Sequence, residues 1–237
     1  MHDRTMSSDD LCFDFGLTGL GGSFHGDWVL FAADQRDHIN QWYGPVGADS
    51  DRRRLLLGDD VRRLVGSCLT GAELNALWRL TDSNALDGSP EIGGRERDWL
   101  ERTLAPAAGT AEPHHGGAGA TTAGTGSCAL GTGGPETDAG VPSPMYEHRL
   151  LADDVKGLID RLDPRQDAVG VTLSEARDAL TRCAEKVCSE IAFRFLLHGF
   201  EAFGSRVSRD LYSRLERVGE RFGYGPHVVD RLHHLVE

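Results

Sequence analysis

Forty consecutive residues, Ala105 to Pro144, contain ten Gly, nine Ala, six Thr, five Pro and two Ser. Such a stretch has almost no side chains to bury, so nothing offsets its chain entropy. A structureless loop of that length is unusual inside one compact domain. The composition therefore predicts a long, disordered Gly/Ala/Thr/Pro linker at 105–144 between two units, 11–104 and 145–237. At roughly one hundred residues, each unit is long enough for a small core. His114 and His115 read as solvated linker residues.

Both flanking units show helical periodicity. In the first, Ile39, Trp42 and Tyr43 share a face over 34–43, and Gly44-Pro45 stops that helix. Leu57, Val61, Leu64, Val65 and Cys68 mark a second helix, with Asp59 and Asp60 near its start. Thr70 and Glu73 are spaced as a capping box, each side chain satisfying the other's backbone N–H, ahead of Leu74, Leu77 and Trp78. After the turn-rich stretch 82–94, a short helix carries Trp99, Leu100 and Leu104. Residues 14–28, with glycines at 16, 19, 21, 22 and 26, lack helical periodicity and read as a loop held by apolar anchors. A short strand at Val29 to Ala32 remains open.

In the second unit, Leu151, Val155, Leu158, Ile159 and Leu162 mark one helix. A long helix is expected from Thr172 or Ser174 to about His198, turning Ala176, Leu180, Cys183, Val187 and Ile191 inward. Ser208 caps another, with Leu211, Leu215, Val218 and Phe222 on its stripe, and Pro226 opens a last helix bearing Val228, Val229 and Leu232. Neither unit alternates strand and helix, so the expected class is all-α: two small helical domains and a tether.

Charge and composition narrow the function. Thirty-seven acidic against 25 basic residues give −12, and an acidic surface repels phosphate backbones, which disfavours nucleic acid as a partner. The longest apolar run, Trp28 to Ala33, is far short of a bilayer span, and Met1 to Asp10 is polar, so neither a membrane nor a standard secretory leader is expected. Five cysteines (Cys12, Cys68, Cys128, Cys183, Cys188) without zinc-type spacing suit a reducing cytoplasm.

Motifs for catalysis are scarce. The chain has no phosphate loop, H-E-x-x-H, G-x-S-x-G or helix-opening G-x-G-x-x-G, and no catalytic residue, metal ligand or cofactor is assigned. The densest polar and aromatic cluster is Gly22-Ser23-Phe24-His25-Gly26-Asp27-Trp28. His25 with Asp27 could act as an oriented general base, which would make a small hydrolase. The competing reading has both bonding the glycine-rich loop while Phe24 and Trp28 pin it to the helices. Glu201, between Phe200 and Phe203, is a further contact carboxylate or a solvated helix end.

The segment Gly21-Gly22-Ser23-Phe24-His25-Gly26-Asp27-Trp28 resembles the G-x-(Y/F)-F-H-Q-D-W signature of a family of contact-dependent growth inhibition immunity proteins, with Gly26 where the family usually has Gln. Leu69-Thr70-Gly71-Ala72-Glu73-Leu74 and Arg97-Asp98-Trp99-Leu100 resemble later steps of the same family, while 82–94 departs from it. From Ala192 to Val236 the chain is similar to small helical MafI-type immunity proteins, with Phe200-Glu201-Ala202-Phe203, Leu211-Tyr212 and a terminal Leu232 to Val236. The resemblance implies a cytoplasmic polyimmunity protein, two antidotes on one chain, each blocking a cognate toxin C-terminal domain. Many such toxins are nucleases, whose basic grooves would attract an acidic inhibitor. The expected toxin-binding residues are Phe24, His25, Asp27, Trp28, Asp59, Asp60 and Glu201, with Trp28 or Trp42 as hot spots and at least one of these two tryptophans buried. An intracellular helical adaptor unrelated to toxins is the other alternative.

Overall fold

Every residue from Ser189 to Phe200 is buried, so the helix that carries them has no solvent face and must lie at the centre of the molecule. A computed structural model describes residues 14–24, 27–44, 48–81, 96–101, 151–166, 168, 170–225 and 227–237. The expected linker at 105–144, the turn-rich stretch 82–94, Cys12 and Cys128 lie outside these residues. The helices are α1 (Gly16–Ser23), α2 (Gln35–Tyr43), α3 (Ala48–Val65), α4 (Gly71–Arg79), α5 (Glu96–Trp99), α6 (Ala152–Ile159), α7 (Leu173–Lys186), α8 (Ser189–Ala202), α9 (Arg209–Arg221) and α10 (His227–Asp230). Two 3-10 turns, Trp28–Leu30 and His233–Leu235, also lie among the described residues. Among the described residues there is no strand, only isolated bridges at Ala168–Val171 and Val207–Val236. The fold is all-α.

Local chemistry sets many of the helix starts. Asp34 caps α2 by accepting from Asp37 N at 2.8 Å. Capping boxes open α4 (Thr70 with Glu73) and α7 (Thr172 with Glu175), and Ser208 accepts from Leu211 N to open α9. Arg97 of α5 spans back to the end of α3, donating to the carbonyls of Val65 and, at 2.6 Å, Leu69, so it satisfies acceptors that a helix end leaves bare.

Several boundaries differ from the sequence expectation: the last helix, expected to carry Leu232, ends at Asp230 before a separate 3-10 turn, and three further differences stand out. Residues 16–23 form α1 rather than a loop. Its glycines serve close packing: a side chain at Gly21 would collide with Thr81, whose Cβ lies 2.7 Å from the site, and Gly16 sits at φ +59° against the Asp60 carboxylate. Helix α3 starts at Ala48, so Asp59 and Asp60 lie in its interior rather than near its start. The expected long helix breaks into α7 and α8 at Cys188, which is extended (φ −163°, ψ 117°), with its N–H on Cys183 O at 2.8 Å.

The largest difference concerns organisation. The segments before and after 102–150 share one continuous core instead of holding one each. Helix α4 packs on α7, and α1 on α8. Arg182 of α7 pairs with Glu73 of α4 at 3.0 Å, Leu80 and Leu162 meet over Gly199, and Phe15 stacks edge-on with Tyr224 at 5.7 Å. At the centre, Arg194, 1% exposed, bonds the carboxylate of Asp60 through both terminal nitrogens (2.9 and 2.6 Å) and Glu190 through Nε (2.6 Å). Its Nη1 also donates to Phe15 O at 2.9 Å, and its plane lies over the Phe15 ring at 4.4 Å. Tyr224 donates its hydroxyl to Glu190. Burial works against the Arg194 charge, but the carboxylates of Asp60 and Glu190 overcome it and hold the guanidinium's pKa well above its ordinary value. With two acids facing one base, burial first and the Glu190 charge second push Asp60 upward against the pull of Arg194.

Two outcomes follow from this arrangement. Arg194→Ala leaves two buried carboxylates without their cation and should cost about 3–5 kcal/mol of unfolding free energy, measured by urea titration. Residues 1–104 and 145–237 expressed as separate chains in one cell should co-elute as a folded complex on gel filtration. Two independently folded, separately eluting fragments would contradict the shared core.

Candidate functional site

The end of α1 delivers the chain to the surface. Phe24 is fully buried, stacked edge-on with Trp28 at 5.2 Å and with Trp78 at 6.2 Å, and tilted on His38 at 4.4 Å. Trp28 is half-buried and itself touches His38 at 5.5 Å. Beyond it the backbone winds through the 3-10 turn, with Leu30 N on Asp27 O at 2.9 Å and Phe31 N on Trp28 O at 3.0 Å. This turn stands where the sequence left room for a strand.

The turn presents its apolar side chains to water. Val29, Leu30 and Phe31 are 59%, 74% and 70% exposed, three large apolar residues in succession. A run of that kind lowers solubility and adds no folding energy, so it points to contact with something else. Its shape is held from behind. Gln41 Nε2 donates to Phe31 O at 3.0 Å and to Asp37 Oδ2 at 3.0 Å, and Asp37 also accepts from Ala33 N at 2.9 Å. Asp27 and Asp34 are exposed on either side in the chain, giving an apolar tip with acidic flanks.

The residues expected at a binding site are scattered by the structure. Phe24 anchors the turn from inside the core, and Asp60 is the buried partner of Arg194, so neither reaches the surface. Asp59 pairs with Arg62 and Arg63 on its own helix, and Glu201 pairs with Arg231. Asp27 and Trp28 do flank the exposed turn, Trp28 and Trp42 are both half-buried rather than one being fully buried, and His25 lies outside the described residues. Sequence reasoning missed Val29, Leu30 and Phe31 as contact candidates, although they form half of the longest apolar run in the chain, Trp28 to Ala33.

Two histidine sites invite a catalytic reading, and their chemistry argues against it. Ser23 Oγ lies 2.9 Å from His38 Nε2, but the same hydroxyl donates its only proton to Leu20 O at 2.6 Å. His38 then serves as donor to Ser23, the reverse of a base activating a nucleophile. The second site joins both ends of the chain. Asp14 Oδ2 lies 2.6 Å from His198 Nε2 and accepts from Arg231 Nη1 at 2.8 Å, while Arg231 also pairs with Glu201. His198 is 3% exposed, and its Cε1 is 3.2 Å from where a Cβ on Gly22 would stand, which leaves no room for a substrate at the ring. This cluster is a latch between α1 and α8.

Among the described residues, no group of three or more His, Cys, Asp or Glu is placed to hold a metal ion, and no helix is long and apolar enough to cross a membrane. Cys68, Cys183 and Cys188 form no disulfide among the described residues, and burial pushes the Cys188 thiol up to about 12. Comparison with protein-family models, with curated proteins and with solved structures gives no match in any of the three.

The latch has a pH signature. Burial alone would raise the Asp14 carboxyl, but His198, Arg231 and the Thr18 hydroxyl hold it well below its ordinary value of 3.8. Folded Asp14 thus binds its proton more weakly than unfolded Asp14. Its contribution to stability is complete above the ordinary value and falls away as pH drops below it. Asp14→Asn should lower stability at pH 7 and flatten the decline below about pH 4, read from urea midpoints across the acid range.

Proposed function

We propose that this protein is an immunity protein, an antitoxin that neutralises the toxin domain of a contact-dependent, polymorphic system by forming a stoichiometric complex. The exposed Val29-Leu30-Phe31 turn carries the reading, because it is a rigidly held apolar tip that the fold itself does not use. The turn directly follows the Phe24-His25-Gly26-Asp27-Trp28 motif on which the family resemblance rests. A net charge of −12 supports a basic partner, and a nuclease's substrate groove is basic. Two or three apolar side chains entering a pocket, ringed by Asp27 and Asp34, make a hot spot of the usual anatomy. An interface of standard size, roughly 1,600 Å², extends beyond the turn over neighbouring surface. The contact set shifts accordingly, to Asp27, Trp28, Val29, Leu30 and Phe31, with Phe24 as internal support.

The polyimmunity reading places a second antidote in 145–237. Because that segment shares its core with the first, the two antidotes would be two faces of one folded body.

The test is co-expression with toxin C-terminal domains from contact-dependent systems, scoring growth and complex formation on gel filtration. One toxin should be neutralised through a stable complex. The double variant Leu30→Asp, Phe31→Asp should lose both protection and complex, at least a hundredfold in affinity, with an unchanged urea midpoint since both residues are solvent-exposed. Protection without a complex, or full protection by the double variant, would defeat the proposal. A hydrolase built on His25 would instead be silenced by His25→Ala and indifferent to the two aspartates.

A further inference from the structure

The groove between α6 and α9 carries a charge that the described residues leave unanswered. Arg214, Arg217 and Arg221 line it from α9, and Asp154 from α6, over a floor of Leu158 and Val218; its volume is about 190 Å³. The spacing places all three guanidiniums on one helix face, where like charges a turn apart destabilise the helix. Arg221 Nη1 is answered by Asp154 Oδ2 at 2.5 Å. Among the described residues, Arg214 and Arg217 have no hydrogen-bond or ion-pair partner. Asp210 shares their face one turn earlier without pairing to Arg214, and Asp153 sits 3.8 Å from Lys156, which is itself bound to Glu185 at 2.6 Å. In a chain with 37 acidic and 25 basic residues, two facing guanidiniums are not unpaired for want of carboxylates.

We propose that this groove binds a small phosphate monoester, with the phosphate between Arg214 and Arg217 and the organic group on Leu158 and Val218. Two unmatched unit charges suit a dianion, whereas a monocarboxylate would leave one of them standing. The planar guanidinium fork matches the oxygens of a phosphate in paired hydrogen bonds. Gly157 supports the geometry: Arg214 Nη2 lies 3.7 Å from where a Cβ on that residue would stand, so the guanidinium rests against the α6 backbone. A volume below the ~300 Å³ of drug-sized pockets limits the ligand to a few atoms beyond the phosphate. The site is remote in sequence from the Val29–Phe31 turn, and it stands or falls independently of the toxin-binding reading.

The full chain is titrated with phenyl phosphate, inorganic phosphate and acetate at constant ionic strength, followed by calorimetry and by chemical shifts. Phenyl phosphate should bind saturably at one site. Affinity should fall roughly tenfold or more in Arg214→Gln, Arg217→Gln and stay unchanged in Arg209→Gln, a variant on the same helix outside the groove lining. An unliganded melting temperature equal to the parent's shows that the double variant is folded; should it not fold, the exposed Arg217→Gln alone carries the same comparison. Absence of saturable binding, binding that survives the substitutions, or equal affinity for acetate would overturn the proposal.

Discussion

A guanidinium sealed from water between two carboxylates admits no partial solution. Each charge in the Arg194–Asp60–Glu190 cluster would be costly alone, and together they offset one another only if α1, α3 and α8 all reach their places. Asp60 does two jobs in that geometry. It answers Arg194, and it accepts from Leu17 N at 2.7 Å, which supplies the first turn of α1 with a partner for an otherwise bare amide. The helix therefore depends for its start on a residue forty-three positions away. Thr18 is drawn in as well, donating to Asp14 at 2.7 Å and accepting from Arg194.

From that centre a chain of supports leads outward. Helix α1 is glycine-rich and would be a poor helix in isolation, since each glycine costs about 1 kcal/mol relative to alanine. In the core the missing side chains let α1 approach α3 and Thr81 closely enough for the ion cluster to close. Its last turn then aims Phe24 at Trp78, and Phe24 in turn holds Trp28, so the surface turn inherits its position from the buried charges. The apolar tip at Val29–Phe31 is thus displayed on rigid support, a condition under which a binding surface loses little entropy on docking.

How much of this could be read from the sequence depends on the range of the interaction. The capping box at Thr70–Glu73, the Ser208 cap and the stop at Gly44 were legible because donor and acceptor lie within a few residues. The Thr172–Glu175 box has the same spacing, but only the helix start was placed there, at Thr172 or Ser174. The all-α class followed from periodicity for the same reason. Helix α1 was read as a loop because its glycines gain their value from neighbours far along the chain. The α7–α8 break was hidden because the apolar stripe runs on through Cys188 while the backbone turns. One signal was available and overlooked: Glu190, Arg194 and His198 recur every four residues in a run that is otherwise apolar, a polar stripe that needs buried partners. Those partners, Asp60 and Asp14, leave no local trace. The composition of 105–144 likewise describes that segment alone and says nothing of whether its flanks pack together. For the candidate contact residues, the motif drew the eye to Phe24, His25, Asp27 and Trp28 and away from the apolar side chains just after them.

The latch between Asp14 and Arg231 joins residues 217 positions apart. During synthesis the first helix must wait for its last partner. At an elongation rate of about 5–20 residues per second, that interval is roughly 10–40 s. For most of it, the apolar faces of α1 and then α4 wait uncovered for α8 and α7, which are synthesised more than ninety residues after α4. Chain assembly is therefore necessarily late and all at once, and a nascent chain stalled before α8 would be a substrate for chaperones rather than half of a working protein.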